Sequence, residues 1–319
     1  MTPDNSNNPL LNVTARGRPA ALDLAIATPL PQDVNVSFEF FPPTVGNGAG
    51  PFWASVERLL PLNPSFVSVT YGAGGTAHNR TLDVVKSLAR ATKTDVAMHL
   101  TCAGASRDEV NKTAQEFADS GGRHIVALRG DPPKGANRYE PHSQGYAYAT
   151  DLVAGLRDIS DFDISVAAYP ETHPEAGSAE FDLDNLKRKL DAGATRAISQ
   201  FFFNVEDYLR FLERVRKAGI AAPVIPGILP VVEFQRIARF AERCGAKVPD
   251  WMGQLFEGLD HDPATRRLVA ASVAAEQCRA LYAQGVDTFH FYTLNQADLC
   301  FAVCHMLGVR PSSPARIAA

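Results

Sequence analysis

The sequence predicts a (β/α)8 barrel, the TIM-barrel architecture, formed by a single domain. The chain has 319 residues, eight short apolar segments rich in β-branched and aromatic residues recur along it, and helical patterns separate them. Near-continuous apolarity is typical of strands covered on both faces, as in a parallel sheet. The candidate strands are residues 34–41, 66–71, 96–101, 124–129, 164–169, 196–203, 223–228 and 287–294.

The predicted helices favour the same arrangement. Residues 78–92 place apolar side chains on one face, and residues 106–121 open with a Ser-Arg-Asp-Glu capping box and end at a glycine. The remaining predicted helices cover residues 178–193, 204–219, 249–259, 264–285 and 296–307. An open doubly wound sheet is the alternative, but no Gly-x-Gly-x-x-Gly follows the first strand.

Composition narrows the classes of protein that the chain could form. Hydrophobic residues make up 45% of it, which excludes a wholly disordered chain, and the net charge of −4 argues against a nucleic-acid partner. No apolar run is long enough to predict a membrane span. Five cysteines without a Cys-x-x-Cys pair predict reduced thiols and a cytoplasmic protein, and no motif predicts a metal site.

The two ends of the chain differ in pattern from its middle. Residues 1–33 mix Asn, Pro, Arg and short apolar runs, which predicts a flexible or surface-docked arm rather than a signal peptide. Residues 311–319 predict a similar tail. The barrel is therefore expected over residues 34–310.

The first strand carries a carboxylate among phenylalanines at its end. Glu39 lies between Phe38 and Phe40, and two prolines follow at once. Chemistry in a barrel of this kind lies at the carboxyl ends of the strands, and an apolar environment favours the protonated carboxyl group that a general acid needs. The alternative is a structural ion pair between Glu39 and an Arg or Lys of the barrel.

Polar groups also follow the second, third and fourth strands. Thr70 and Tyr71 precede a Gly-rich turn over residues 72–75, which suits close approach of a ligand or simply a tight turn. His99 lies in an apolar run, where a satisfied core histidine is the usual interpretation. Arg129, Gly130 and Asp131 suit a polar ligand, or alternatively form a salt bridge that caps the loop.

The fifth strand is followed by polar groups held between prolines. Tyr169 and His173 lie in this loop, and the next helix carries Asp182, Asn185 and Lys189 on one face. A solvated helix face is the alternative for those three. Gln200 follows the sixth strand. No Gly-x-Ser-x-Gly elbow occurs, so physical reasoning alone predicts a barrel enzyme with a polar mouth.

Eight strings in the chain resemble one known family. They are FEFFPP, SVTYGAGGT, HLTC, HIVALRGDPP, SVAAYPETHPEA, ISQFFFN, IPGILPV and FHFYTLN. From about residue 35 to 310, the chain is similar to methylenetetrahydrofolate reductase of the short bacterial type. The resemblance implies an FAD-binding barrel in which the flavin takes hydride from NADH or NADPH in a ping-pong sequence. The reduced flavin then reduces 5,10-methylenetetrahydrofolate to 5-methyltetrahydrofolate, which feeds methionine synthesis.

The resemblance also implies roles for individual residues. Glu39 is the acid that opens the folate ring, and Asp131 lies beside the flavin and stabilises the cationic iminium. The implied flavin-binding residues are Thr70, Tyr71, His99, Arg129, Gly130, Asp131, Tyr169, His173, Asp182, Asn185 and Lys189. The implied substrate-binding residues are Gln200, Phe240 and Gln296. A homo-oligomer that acts on small molecules is expected.

Two positions depart from the family pattern. Arg236 stands where Gln is expected, four positions before Phe240, and Gln296 stands where the family has an Arg that meets the glutamate tail of folate. Recognition of the tail is therefore expected to be rearranged. The competing hypotheses are a flavin-free barrel lyase or aldolase that uses the same two acids, and a folate-binding barrel without catalysis.

Overall fold

Nine parallel strands form one sheet that curves into a nearly closed barrel, which confirms the predicted fold class. The computed structural model describes residue 31 and residues 33–43, 49–71, 78–132 and 138–312. The strands are β1 (Asn35–Phe40), β2 (Val67–Val69), β3 (Val96–Thr101), β4 (His124–Leu128), β5 (Asp163–Ala168), β6 (Arg196–Ser199), β7 (Val224–Ile225), β8 (Gly227–Ile228) and β9 (Thr288–Tyr292).

Helices lie between successive strands and cover the outside of the barrel. They are α1 (Gly50–Leu59), α2 (His78–Ala91), α3 (Arg107–Asp119), α4 (Ala149–Arg157), α5 (Ala179–Asp191), α6 (Val205–Lys217), α7 (Phe234–Cys244), α8 (Asp250–Phe256), α9 (Pro263–Tyr282) and α10 (Ala297–Met306). The predicted capping box of α3 is present: Glu109 N donates to Ser106 Oγ, and Ser106 N donates to Glu109 Oε2 at 2.8 Å.

The seventh predicted strand is divided into two short pieces. β7 pairs with β6, and β8 pairs with β9, so the two pieces together bring the ends of the sheet close to closure. Pro226 lies between them and has no N–H to donate to a ladder, while its carbonyl accepts a hydrogen bond from His290 N at 3.0 Å. The proline accounts for nine assigned strands at eight predicted positions.

The core has two layers. The larger layer packs the outward faces of the strands against the helices, and Phe38 and Phe291 stack there with ring centroids 5.9 Å apart. Inside the barrel, a small apolar cluster is formed by Phe66, Ala97, Val126 and Ile198. The interior is otherwise polar, because His124 pairs with Ser165 and His290 pairs with Ser37.

The predicted ends of the chain are only partly covered by the structure. Apart from residues 31 and 33, the predicted arm over 1–33 lies outside the described residues, as does the tail after residue 312. Ser312 N donates to the carbonyl of Pro61 at 2.8 Å. All five cysteines are free thiols, and the described helices include none long and apolar enough to cross a membrane.

Packing between the strands and helices predicts the effect of a core truncation. Phe38→Ala empties a fully buried site against Phe291, so the free energy of unfolding should fall by about 3–5 kcal/mol. Phe181→Ala removes the same atoms from a side chain that is 56% exposed, and should change it by less than about 0.5 kcal/mol. Urea unfolding measures both, and equal losses would contradict this packing.

Candidate active site

Glu39 lies inside the barrel with its carboxylate between two histidines. Its side chain is 16% exposed, and Oε2 lies 3.4 Å from Nε2 of His99 and 3.9 Å from Nε2 of His290. Burial lowers the pKa of His99, although the charge of Glu39 opposes that shift, so this imidazole is neutral at pH 7. Among the described residues, histidines rather than an Arg or Lys face Glu39, which does not support the structural ion pair considered from the sequence.

The partner strand fixes the position of this carboxylate. Glu39 is in register with Tyr292 on β9, and its carbonyl accepts a hydrogen bond from Thr293 Oγ1 at 2.6 Å. His290 in turn holds Ser37 through Nδ1 at 2.8 Å. His290 and Tyr292 of β9 therefore lie next to Glu39 on the inward side of the barrel.

Aromatic side chains form one wall beside Glu39. Tyr292 Oη donates to the carbonyl of Ser199 at 2.7 Å, and burial, with the nearby Glu39, raises the pKa of this phenol. Phe201 packs edge-on against Tyr292 and stacks on Phe240 with ring centroids 5.5 Å apart. Phe240 is 37% exposed, so an aromatic surface runs from the acid outward to solvent.

Arg129 follows β4 and is paired with a carboxylate that sequence reasoning did not single out. Its guanidinium forms a two-point ion pair with Glu175, in which Nη2 lies 3.2 Å from Oε1, and it lies 4.5 Å above the ring of Tyr139. The alternative salt bridge between Arg129 and Asp131 is therefore wrong. Hydrogen bonding to Arg129 lowers the pKa of Glu175.

Gly130 is required at its position. Its φ is +88°, and a Cβ built on it would lie 2.8 Å from Cβ of Ala103 and 3.0 Å from Cβ of Thr101. A side chain would be strained there and would also crowd the backbone at the mouth of the barrel. The absence of a side chain thus lets this turn pack directly against Thr101 and Ala103, which follow β3.

The loop after β5 is organised around His173. Its backbone N donates to Asp182 Oδ2 at 2.9 Å, its Nδ1 accepts from Glu175 N at 3.0 Å, and its ring packs edge-on against Tyr169 at 4.6 Å. Burial and the nearby Arg129 lower the pKa of His173. The predicted residues of this loop are therefore brought together with Arg129.

Lys189 is a buried cation on the face of α5 that also carries Asp182 and Asn185. It is 7% exposed, and its Nζ donates to the carbonyl of Ala167 at 2.5 Å. Burial lowers its pKa to about 8, although Asp182 opposes that shift. The solvated-face alternative is wrong for Lys189. Asn185, between these two residues on the helix, is half-buried.

The remaining predicted residues lie around the same mouth. Asp131 is exposed and close enough to Tyr169 and Cys244 to raise the pKa of each, although burial is the larger cause in both cases. Gln200 Oε1 accepts from Phe201 N at 3.0 Å. Gln296 Oε1 lies 3.5 Å from Nη1 of Arg267.

The end of β2 is covered only in part. Thr70 N donates to the carbonyl of Phe40 at 3.0 Å, and burial raises the pKa of Tyr71. The Gly-rich turn over residues 72–75 lies outside the described residues. In the part of the chain that is described, no group of three or more His, Cys, Asp or Glu side chains could hold a metal ion.

The sequence assigned no role to several side chains that contact the predicted site residues, namely Ser37, Glu175, Arg267, His290 and Tyr292, although Glu175 and Tyr292 lie in segments predicted to be at the strand ends. His290 and Tyr292 alternate along β9 in register with Ser37 and Glu39, so strand alternation combined with the resemblance could have found them. The contacts of Glu175 and Arg267 had no such local signal.

The chain matches the family model for methylenetetrahydrofolate reductase over residues 26–308. It is 52% identical over 278 residues to the 5,10-methylenetetrahydrofolate reductase of Salmonella typhimurium (strain LT2), covering 87% of this chain and 92% of that protein. The same figures hold for the enzyme of Escherichia coli (strain K12). This chain belongs to the methylenetetrahydrofolate reductase family.

A solved structure shares the fold of this methylenetetrahydrofolate reductase family member at much lower identity. It is an uncharacterized protein from Clostridium thermocellum that binds two copies of 5-methyl-5,6,7,8-tetrahydrofolic acid. The two structures superpose with a TM-score of 0.56 at 12% identity, covering 90% of this chain and 98% of that one. At this identity the likeness concerns the fold alone.

The burial of Lys189 predicts a difference in pH dependence between the wild type and Lys189→Met. The folded pKa is about 8 and the unfolded pKa is ~10.4, so the unfolded chain binds more protons between these values and folding stability rises with pH there. Below pH 8 the free energy of unfolding of Lys189→Met should therefore exceed that of the wild type by about 2–3 kcal/mol. This difference should disappear as the pH approaches ~10.4.

Urea unfolding between pH 7 and 10.5 measures this difference. Lys187→Met is the matched control, because that lysine is on the same helix but 44% exposed and paired with Asp191. The difference in free energy of unfolding between Lys187→Met and the wild type should not change with pH between 7 and 10.5. A difference for Lys189→Met that does not change with pH would show that the ammonium group is not desolvated.

Proposed function

We propose that this family member uses FAD and NADH or NADPH to reduce 5,10-methylenetetrahydrofolate to 5-methyltetrahydrofolate. The observation that carries the proposal is the position of Glu39, whose carboxyl group is enclosed at the carboxyl end of the barrel beside a neutral imidazole. Kinship with the reductases of Salmonella and Escherichia supports the reaction. When bound, FAD supplies a hydride acceptor and donor between the nicotinamide and the folate.

The residues at the rim fit such a cofactor. A flavin dinucleotide carries a diphosphate, and Arg129 already binds the half-exposed carboxylate of Glu175 in a two-point pair that resembles a phosphate contact. Lys189 is a second cation nearby. Further polar contacts to the cofactor would come from Asp182, Asn185 and His173. The remaining residues of this proposed flavin site are Thr70, Tyr71 and Tyr169.

Glu39 supplies the proton that the folate needs before it can accept hydride. The bridging methylene carbon is part of a closed five-membered ring with two nitrogens, and a C–N bond must break for that carbon to become electrophilic. A proton from a carboxyl oxygen of Glu39 goes to the departing nitrogen, and the remaining nitrogen forms the cationic C=N bond. Hydride addition to that carbon then gives the methyl group. The imidazoles of His99 and His290 lie 3.4 and 3.9 Å from this carboxyl group.

Asp131 stabilises the cation that this step creates. It lies at the end of β4, exposed at the mouth, and an ionised carboxylate there lowers the energy of a positively charged iminium. The same negative charge would also disfavour the addition of electrons to the flavin ring, and would therefore lower its reduction potential. One acid therefore donates a proton, and the other provides a fixed negative charge.

Gln200 and Phe240 position the substrates. The amide of Gln200 follows β6 and would pair with the hydrogen-bonding edge of the pterin, and the ring of Phe240 offers a stacking surface. Because the same mouth receives the nicotinamide and the folate, the two substrates bind in turn. This order is the ping-pong sequence.

An anaerobic assay with purified protein tests the proposal. Yellow protein, oxidation of NADH or NADPH, and formation of 5-methyltetrahydrofolate are all expected. Colourless protein that gains no flavin absorbance with added FAD would favour the lyase or aldolase alternative. Folate binding without oxidation of NADH or NADPH in the presence of an electron acceptor would favour a binding protein.

Glu39→Gln should separate the two half-reactions. The variant cannot donate the ring-opening proton, so folate reduction should slow by about 100-fold or more, while NADH should still reduce the flavin at close to the wild-type rate. Stopped-flow absorbance of the flavin measures each half-reaction. Glu213→Gln, on the exposed face of α6, is the control. Equal losses in both half-reactions would refute the role of Glu39.

Asp131→Asn should raise the reduction potential of the bound flavin and slow the folate half-reaction. The variant removes the negative charge that opposes electrons on the flavin and stabilises the iminium. Titration against a reference dye measures the potential. Asp161→Asn is the control, because Asp161 is 98% exposed and precedes β5 at the opposite end of the barrel. A potential that does not change would rule out this electrostatic role.

A further inference from the structure

The loop after β5 contacts the carboxyl end of α7. Glu171, in that loop, accepts a hydrogen bond from Lys247 N at 2.8 Å, and Lys247 lies just beyond the last residue of the helix. The carboxylate is half-buried, and burial raises its pKa while the bond from Lys247 N opposes that shift. The bond joins residues 76 positions apart, so only the fold brings them together.

Gly245 closes the contact between the loop and the helix. It ends α7 in a left-handed conformation with φ +73°, and a Cβ built on it would lie 3.0 Å from Cγ of Pro174 and 3.1 Å from the carbonyl oxygen of Thr172. The loop therefore packs directly against the backbone of the helix end. Burial raises the pKa of Tyr169, and the nearby Cys244, the last residue of α7, adds to that shift.

The loop is itself fixed on its other side. His173 N donates to Asp182 Oδ2 of α5 at 2.9 Å, and Glu175 forms the two-point ion pair with Arg129. The φ of Thr172 is +87°, a left-handed conformation that is unfavourable for a β-branched residue and persists only where surrounding contacts impose it. The loop is therefore a rigid support against which the end of α7 rests.

The position of α7 depends on that support, because few other contacts fix it. Of its eleven residues, only Ile237 and Ala241 are buried, and Glu233, which precedes the helix, makes no side-chain cap among the described residues. Phe240 projects from α7 and is 37% exposed. It lies four residues before Cys244, so the two side chains share the helix face that is next to the loop.

We infer that Glu171 is a positioning residue, which fixes the end of α7 through Lys247 N and thereby holds Phe240 in place to stack on the substrates. The inference rests on the proposed function, which assigns the stacking surface to Phe240. It adds that the loop carrying His173, on the proposed flavin side, also sets the position of the aromatic ring on the substrate side.

Glu171→Met and Glu171→Gln together test the inference. Methionine is close to glutamate in length but cannot accept the bond from Lys247 N, whereas the amide oxygen of glutamine can. Glu171→Met should raise the KM for the nicotinamide and for methylenetetrahydrofolate about tenfold each, because both stack on Phe240, while kcat stays within about twofold. Glu171→Gln should restore both KM values to within about twofold of the wild type.

The Phe240→Leu background separates positioning of the ring from general damage. Introducing Glu171→Met into Phe240→Leu should change the KM values by less than about twofold, because the ring is already lost. FAD should bind Glu171→Met within about twofold of the wild type, because His173 and Arg129 keep their partners. Glu213→Met, on the exposed face of α6, is the control for the substitution and should leave the KM values unchanged.

Two kinetic results would overturn the inference. One is a Glu171→Met variant whose KM is unchanged for both substrates. The other is a full tenfold rise when Glu171→Met is introduced into Phe240→Leu, which would show that Glu171 acts independently of the ring.

Failure of the proposed function would give a different result. Amide hydrogen exchange at Lys247 and binding of 5-methyltetrahydrofolate, followed by protein fluorescence, require neither flavin nor turnover. Faster exchange and about tenfold weaker folate binding in Glu171→Met than in Glu171→Gln, in a protein that reduces no folate, would support the role of Glu171 and refute the reductase activity. Equal exchange rates or equal folate affinities in the two variants would refute the role of Glu171 whether or not the enzyme turns over.

Discussion

The carboxylate of Glu39 lies in a barrel interior that is otherwise filled by apolar side chains, histidines and serines. Such a group is costly to bury unless neighbouring polar atoms compensate for lost water, and here the imidazoles of His99 and His290 face it at 3.4 and 3.9 Å. Both histidines come from other strands, so the environment of the acid depends on the register of the sheet. A shift of β9 by one residue would turn His290 and Tyr292 outward.

The rest of the mouth is built around that acid by loops that follow the strands. Arg129, Gly130 and His173 come from the loops after β4 and β5, and Lys189 reaches the carbonyl of Ala167 from α5. The two cations and the polar groups of these loops therefore lie on the same side of the barrel. Burying an ammonium group in this arrangement is energetically unfavourable, because desolvation lowers the pKa of Lys189 to about 8.

Local patterns in the sequence predicted much of the fold and many of the site residues. Apolar runs identified every strand position, and the Ser106 to Glu109 spacing identified the start of α3, because both depend on neighbours within a few residues. The family strings singled out Glu39, Arg129 and His173. The structure brings these residues to the carboxyl end of one barrel, while their chemical roles stay predictions.

The sequence by itself determined the order of the elements, the apolar strands and the residue types at their ends. Only the tertiary structure decided which side chains meet: Glu39 with His290, 251 positions later in the chain, Arg129 with Glu175 rather than Asp131, and Arg267 with Gln296. Periodicity specifies which residues share a face but not which distant residue faces them. Closure of the barrel sets the contact between Glu39 and His290, because it brings β1 beside β9 and fixes the register between them. The pairing of β4 with β5 brings together the loops that carry Arg129 and Glu175.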